Sequence, residues 1–349
     1  MTFLFAIPLI LLIALLLYIF LAGPKLPAST EAIIDDVLRS DLPELITGQT
    51  GYADSNGHAI WYECMLPTGP TKGTVLLLMG IGGSGIFWPP AFLRAFVDAG
   101  YRTIRYDHRG TGMSDWVKEW DRRSPYSLRD MAGDAVAVLD ALGIESAHLV
   151  GLSMGGMIAQ EITIHYPERV ASLTLMMTSG HVGDPDLPGP SSRFFISNVA
   201  TGLPLLKYRL IGGEKNLIRE PVAKMIAASG VEGYEAREMA EIVLYDLRRR
   251  RGINGRAILQ HWMAINLSSS RYERLKGVTA PALVIHGTAD PLLPSEHGRK
   301  LAATIPNAQV LWLPDVGHVF PPPDAERVFD AILTHLAAMP ALPSPILER

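Results

Sequence analysis

The pentapeptide Gly151-Leu152-Ser153-Met154-Gly155 constrains this chain more than any other stretch. It follows the apolar run AHLV and opens the helical run MGGMIAQEITIHY. A G-x-S-x-G sequence in that setting is a strand that turns at once into a helix, with the serine at the apex. The backbone crosses itself so closely there that a side chain at 151 or 155 would collide, and the apical residue is held in a strained conformation. Gly156 leaves further room. A serine alcohol is a weak nucleophile until a base removes its proton. Ser153 as nucleophile therefore requires a histidine and an orienting acid from later loops.

The surrounding pattern alternates strands and helices. Asn56-Gly57 is a hairpin turn between a weak strand near Gln49 to Asp54 and the strand HAIWYECML. TVLLLMG is a short apolar run of the buried parallel type, followed by a helix around Pro90 to Ala99 and the strand YRTIRYD. Leu128, Met131, Ala135, Val138, Leu139 and Leu142 recur at helical spacing. AHLVGL, the helix after Ser153 and ASLTLMM continue the series. After Ser179 the rhythm breaks, and Pro-rich turns lead into helix-like segments without a buried strand. It resumes with ALVIHG, a helix over Ser295 to Thr304, AQVLWL and a helix over Ala325 to Ala338. This order predicts an α/β fold, a doubly wound and mostly parallel sheet flanked by helices. Ligands are expected beyond the carboxyl ends of its strands.

Of ten histidines, His318 is best placed as the base, in the loop after AQVLWL and before the final helix. His286 lies in or at the end of ALVIHG, where a packed ring is expected. His108, His148, His165, His181 and His297 are assigned surface or structural roles. Asp290, in HGTADPLLP, is the expected acid, because the loop after ASLTLMM offers only Thr178, Ser179 and Gly180. Asp315 is expected to shape the PDVG turn. Two backbone N–H groups must face the oxyanion of an acyl-transfer intermediate, and those of Met154 and Ile81 are the candidates. The motif DHRGTGMSD is read as structural, with Asp and Arg satisfying loop backbone and pairing with each other.

A net charge of -4 excludes a broad basic surface for nucleic acid. Arg248 to Arg251 is the one basic cluster, read as a solvated helix face, with attraction to anionic lipid as the second reading. Cys64 is the only cysteine, so no internal disulfide can form and a cysteine-based zinc site is not expected. Phe3 to Ala22 is an uncharged run of 20 residues. As a helix it would rise roughly 30 Å, the thickness of a bilayer's hydrocarbon core, and it is expected to span a membrane once. A cleaved signal is the weaker reading, because its apolar stretch is shorter and follows a charged region. Lys25 and Arg39 follow the run and no Lys or Arg precedes it, which favours a cytoplasmic catalytic domain.

The stretches LLLMGIGGSGIFW, YRTIRYDHRGTGMSD, AGDAVAVLDALGIESAHLVGLSMGGMIAQ, PALVIHGTADPLLP and LPDVGH resemble the α/β-hydrolase superfamily, and within it the aclacinomycin methylesterase-like branch. The resemblance spans roughly residues 48 to 335. It implies a serine esterase with a helical cap over its pocket, the triad Ser153, Asp290 and His318, and oxyanion donors at Ile81 and Met154. Neither metal nor cofactor is implied, and the expected partner is a small-molecule ester. Carbon-carbon hydrolases and cofactor-free haloperoxidases share the elbow, and a non-catalytic membrane-tethered binding protein is the remaining alternative. The expected organisation is an anchor at 1–22, a juxtamembrane linker with one modest helix at 23–47, core at 48–182 and 271–340, a cap at 183–270, and a peripheral tail at 341–349.

Overall fold

Asn56 and Gly57, at φ 52° and 82°, close the turn joining β1 (Gln49–Ser55) to β2 (His58–Met65), and Ser55 pairs with His58 across it. The computed structural model describes residues 2–21, 26–121, 123, 125–191, 204–205, 207–229, 236–319 and 322–339, with no side chains for 2–10, 227–229, 322 and 323. The expected tail at 341–349 lies outside the described residues.

Among the described residues, eight strands form one sheet in the order β1-β2-β4-β3-β5-β6-β7-β8. β1, β2 and β4 (Arg102–Tyr106) are antiparallel neighbours. β3 (Thr74–Leu78), β5 (Ala147–Leu152), β6 (Val170–Met176), β7 (Ala282–Gly287) and β8 (Gln309–Leu313) run parallel. Every residue of β3, β4 and β7 is buried, as strands covered on both faces must be.

On one face lie α4 (Leu128–Ala141) and α5 (Met154–His165), which share a core with Leu76, Leu78, Leu149 and Leu173. Ser127 and Asp130 start α4 with a reciprocal capping box. On the other face, α3 (Pro90–Asp98) aligns Phe92 and Phe96 one turn apart. They meet Phe329 of the last helix at centroid distances of 5.8 and 5.2 Å.

The N-terminal expectations change in two respects. α1 runs Thr2–Leu21, but among the described residues no helix is long and apolar enough to cross a membrane. The second change concerns the linker, which is built into the fold from Leu26 onward, while residues 22–25 lie outside the described residues. α2 (Ala28–Arg39) buries Ile34 and Val37 completely against Ile218, Val222, Met239 and Val243. Ion pairs of Glu31 with Arg219 and of Asp36 with Arg237 flank that contact. Farther on, the Thr47 and Gly48 amides donate to Glu63, which is paired with buried Arg105.

The partners of α2 belong to the insertion between β6 and β7, which is helical over the residues 214–229, 236–249 and 255–267: α6 (Glu214–Ser229), α7 (Ala236–Arg249) and α8 (Gly255–Leu267). The arginine run at its α7 end is not a uniformly solvated face. Arg248 is half-exposed and pairs with Glu214, whereas Arg250 is buried, pairs with Asp107 and lies 4.6 Å over the Trp61 ring. Arg251 stacks on Trp116 and donates to the Ser114 carbonyl.

The DHRGTGMSD loop is structural, but its Asp and Arg pair elsewhere. Asp107 accepts the Gly85 and Met113 amides and holds Arg250. Arg109 instead forks onto Asp134 through two bonds of 2.6 Å.

Candidate active site

Ser153 sits between β5 and α5 at φ 53° and ψ -117°, a region that costs a non-glycine residue about 1–3 kcal/mol. Its neighbours hold it there: the Ser153 amide donates to Met176 O at 2.8 Å, and Thr178 Oγ1 donates to Ser153 O at 2.7 Å. A Cβ on Gly155 would come within 2.0 Å of Leu78 O, and one on Gly151 within 2.5 Å of Gly155 O. The expected reason for glycine at both positions is therefore met.

His318 lies in the loop after β8. A Cβ on Gly287, at the end of β7, would meet the Val316 carbonyl at 2.3 Å, so glycine is what lets this loop close over the strand. The ring reaches Ser153 Oγ through Nε2 at 3.0 Å and Asp290 Oδ2 through Nδ1 at 2.7 Å. A carboxylate can only accept, so Nδ1 carries the proton toward Asp290 and Nε2 is left to accept from the serine hydroxyl. The three residues expected from the sequence are thus brought together.

Asp290 is 4% exposed, and its other oxygen accepts the Leu292 and Leu293 amides, both at 2.9 Å. Burial alone would raise its pKa. The charge and hydrogen bond of His318, with His286 and the Leu293 amide, outweigh that and hold the carboxyl well below the usual carboxylate range. His286 is fully buried and donates from Nε2 to Leu293 O at 2.8 Å, the packed role expected for it. Asp315 is exposed, sits at φ 58° and donates its amide to Thr288 Oγ1. It shapes a turn and is not bonded to His318.

Met154 is the first residue of α5, where the N–H has no intrahelical acceptor. Ile81 follows Gly80, on which a Cβ would stand 3.6 Å from Ser153 Cβ, so the loop after β3 passes directly beside the nucleophile. A cavity of about 460 Å3 lined by His165, Pro167 and Arg274 opens at the far end of α5 and touches none of these residues.

Two residues that brace loops near the site escape the sequence reading. His261 of α8 bonds the loop that carries Ile81, and Arg250 bonds the loop after β4. For His261 the usable signal is the helical spacing of Ala257, Gln260, His261 and Ala264, which puts two polar residues on the buried face of an insertion helix.

With fold and geometry in hand, the class is clear: the chain belongs to the alpha/beta hydrolase fold family, whose pattern matches residues 73–323. It is similar to rhodomycin D methylesterase of Streptomyces sp. (strain C5), 32% identical over 287 residues that cover 77% of this chain and 92% of that protein. It is also similar to the 2-hydroxy-6-oxononadienedioate/2-hydroxy-6-oxononatrienedioate hydrolase of Paraburkholderia phymatum (strain DSM 17167 / CIP 108236 / LMG 21445 / STM815), 34% identical over 276 residues, 77% of this chain and 88% of that one. Among solved structures, the esterase RhEst1 from Rhodococcus sp. ECU1013 superposes with a TM-score of 0.63 at 24% identity, covering 83% of this chain and 99% of that chain. At that identity the likeness concerns the fold.

Proposed function

We propose that the protein hydrolyses carboxylic esters through an acyl-enzyme. Ser153 Oγ attacks the ester carbonyl as its proton passes to His318 Nε2. The alcohol leaves with that proton, and water activated by the same nitrogen then releases the acid. Asp290 keeps the imidazole in the useful tautomer and stabilises its charged form. The Ile81 and Met154 amides hold the oxyanion. The observation that carries this reading is the unbroken line from Ser153 Oγ to His318 at 3.0 Å and from His318 to Asp290 at 2.7 Å. Similarity to rhodomycin D methylesterase supports an ester as substrate.

Turnover of p-nitrophenyl esters of increasing acyl length, measured beside Ser153→Ala, tests it. Short or medium acyl esters should be cleaved, and the variant should be nearly inactive; wild-type turnover in Ser153→Ala would remove the mechanism. A second reading, hydrolysis of a dienedioate, is favoured by the similarity to the Paraburkholderia hydrolase. It is tested by supplying that compound in the same assay.

The same proposal includes attachment to a membrane through the apolar N-terminal helix, with the catalytic domain on the cytoplasmic side. Leu11, Leu17 and Leu21 are 64%, 52% and 78% exposed, so the folded domain does not cover them. Full-length protein should resist carbonate extraction from membranes; extraction into the supernatant would end this part of the reading.

A further inference from the structure

The loop after β3 makes a four-residue turn, Gly80-Ile81-Gly82-Gly83, closed by the Gly83 amide donating to Gly80 O at 3.2 Å. Gly82 stands third in it at φ 67°, as a type II turn requires. The central peptide of such a turn, between Ile81 and Gly82, is the unit that rotates when the turn changes type. Its N–H is not free to do so: Gly82 N donates to His261 Nδ1 at 3.0 Å.

The tautomer of His261 follows from its partners. A backbone N–H can only donate, so Nδ1 accepts. A carbonyl can only accept, so Nε2 donates to Arg109 O at 3.0 Å. Both ring nitrogens are satisfied by a neutral imidazole, and His261 is fully buried. Burial, with neighbouring His108 adding to it, pushes its pKa down to about 3, so the ring stays neutral throughout the working range of an esterase.

α8 is brought close enough for this bond by small residues. A Cβ on Gly82 would lie 2.5 Å from Ile258 Cγ1, one turn before His261, and Ala257 is fully buried against the loop at Gly110. From the core side, His108 Nε2 donates to Met79 O at 2.8 Å, and its ring stands edge-on to that of His261 at 5.8 Å.

We propose that His261 is a positioning residue for the oxyanion site: it fixes the central peptide of the turn that carries the Ile81 N–H, and so makes the insertion a part of the catalytic machinery. This rests on the ester-hydrolase reading of Ser153. The ring touches neither Ser153 nor His318; it acts through Gly82.

The test is a pair of isosteric variants. In His261→Asn the amide oxygen occupies the place of Nδ1 and can still accept from Gly82. In His261→Gln the terminal amide reaches the place of Nε2 and can serve Arg109 O, leaving Gly82 unbonded. His261→Gln should lower kcat about tenfold or more with KM within about twofold, since weakening one oxyanion donor acts on the transition state; His261→Asn should stay within about threefold of wild type.

Hydrogen exchange of the peptide covering 79–83 should quicken in the glutamine variant and not in the asparagine variant. Equal losses of kcat and of thermal stability in both would reduce His261 to packing. Wild-type kcat and exchange in His261→Gln would end the proposal outright. If the wild-type protein shows no Ser153-dependent ester turnover, the ester reading fails separately, and the exchange comparison still decides whether His261 pins the turn.

Discussion

Arg250 and Asp107 form a buried ion pair at the seam between the insertion and the sheet, with side chains 1% and 0% exposed. Removing the arginine takes from the buried Asp107 carboxylate its ion-pair partner, which typically costs about 3–5 kcal/mol. Arg250→Ala should therefore lower the melting temperature by many degrees. Arg248→Ala, two residues earlier and half-exposed, should change stability by less than about 1 kcal/mol. Equal melting shifts in thermal unfolding would contradict the buried clamp.

Asp246 faces the same arginine at 3.5 Å. Burial raises its pKa to about 6; Arg250 offsets part of that, and Asp107 adds to it. The unfolded value is about 3.9. Between those two pH values the folded state binds more protons than the unfolded state, so this group's contribution to stability falls as pH rises from about 4 through 6. Asp246→Asn should raise the melting temperature relative to wild type at pH 8, and the gain should shrink toward pH 4. A loss of stability at pH 8 that shrinks toward pH 4 would show instead that the carboxylate is needed in its charged form.

Asp290→Asn preserves shape but favours the wrong imidazole tautomer at His318, a change that can cost about 10⁴ in turnover. Asp315→Asn should leave kcat within a few-fold, because Asp315 is exposed and its bond to Thr288 is made by the backbone amide, which the substitution keeps. Steady-state kinetics of the two variants decide the matter, and the reverse ranking would move the acid to position 315.

Truncation separates the apolar helix from the helix that follows it. Deleting residues 1–24 should leave a folded protein that reacts with fluorophosphonate at Ser153. Deleting residues 1–47 uncovers the faces of α6 and α7 that bury Ile34 and Val37, and should lower the melting temperature sharply or give insoluble protein. Equal stability of the two truncations would mean that α2 contributes little.

Much of the core was legible because its signals are local. Apolar runs of five to seven residues and the 3.6-residue spacing of α4 depend only on neighbours in the chain, and the elbow fixes where strand becomes helix. Ser153, Asp290 and His318 were legible for a topological reason: each sits in a loop at a strand's carboxyl end, and the chain order sorts their roles.

What was not legible depends on which surfaces meet. Four successive arginines look alike in sequence, yet Arg250 is buried and Arg248 is not, because only one of them points at Asp107. The apolar stripe of α2 could be read from Ile33, Ile34 and Val37, but not the helices it would cover. Asp107 and Arg109 stand two apart in one motif and are held by different elements, so adjacency gave the wrong partner.

The docking of α2 alters the mechanical frame of the molecule. Seven chain steps from Leu21 to Ala28 can span at most about 25 Å. The helix beyond them grips α6 and α7 by a buried apolar contact and ion pairs. If the N-terminus is held at a surface, the part held nearest to it is therefore the insertion. Load from that surface would then enter the fold at α6 and α7 and pass to the sheet through the buried pair of Arg250 and Asp107.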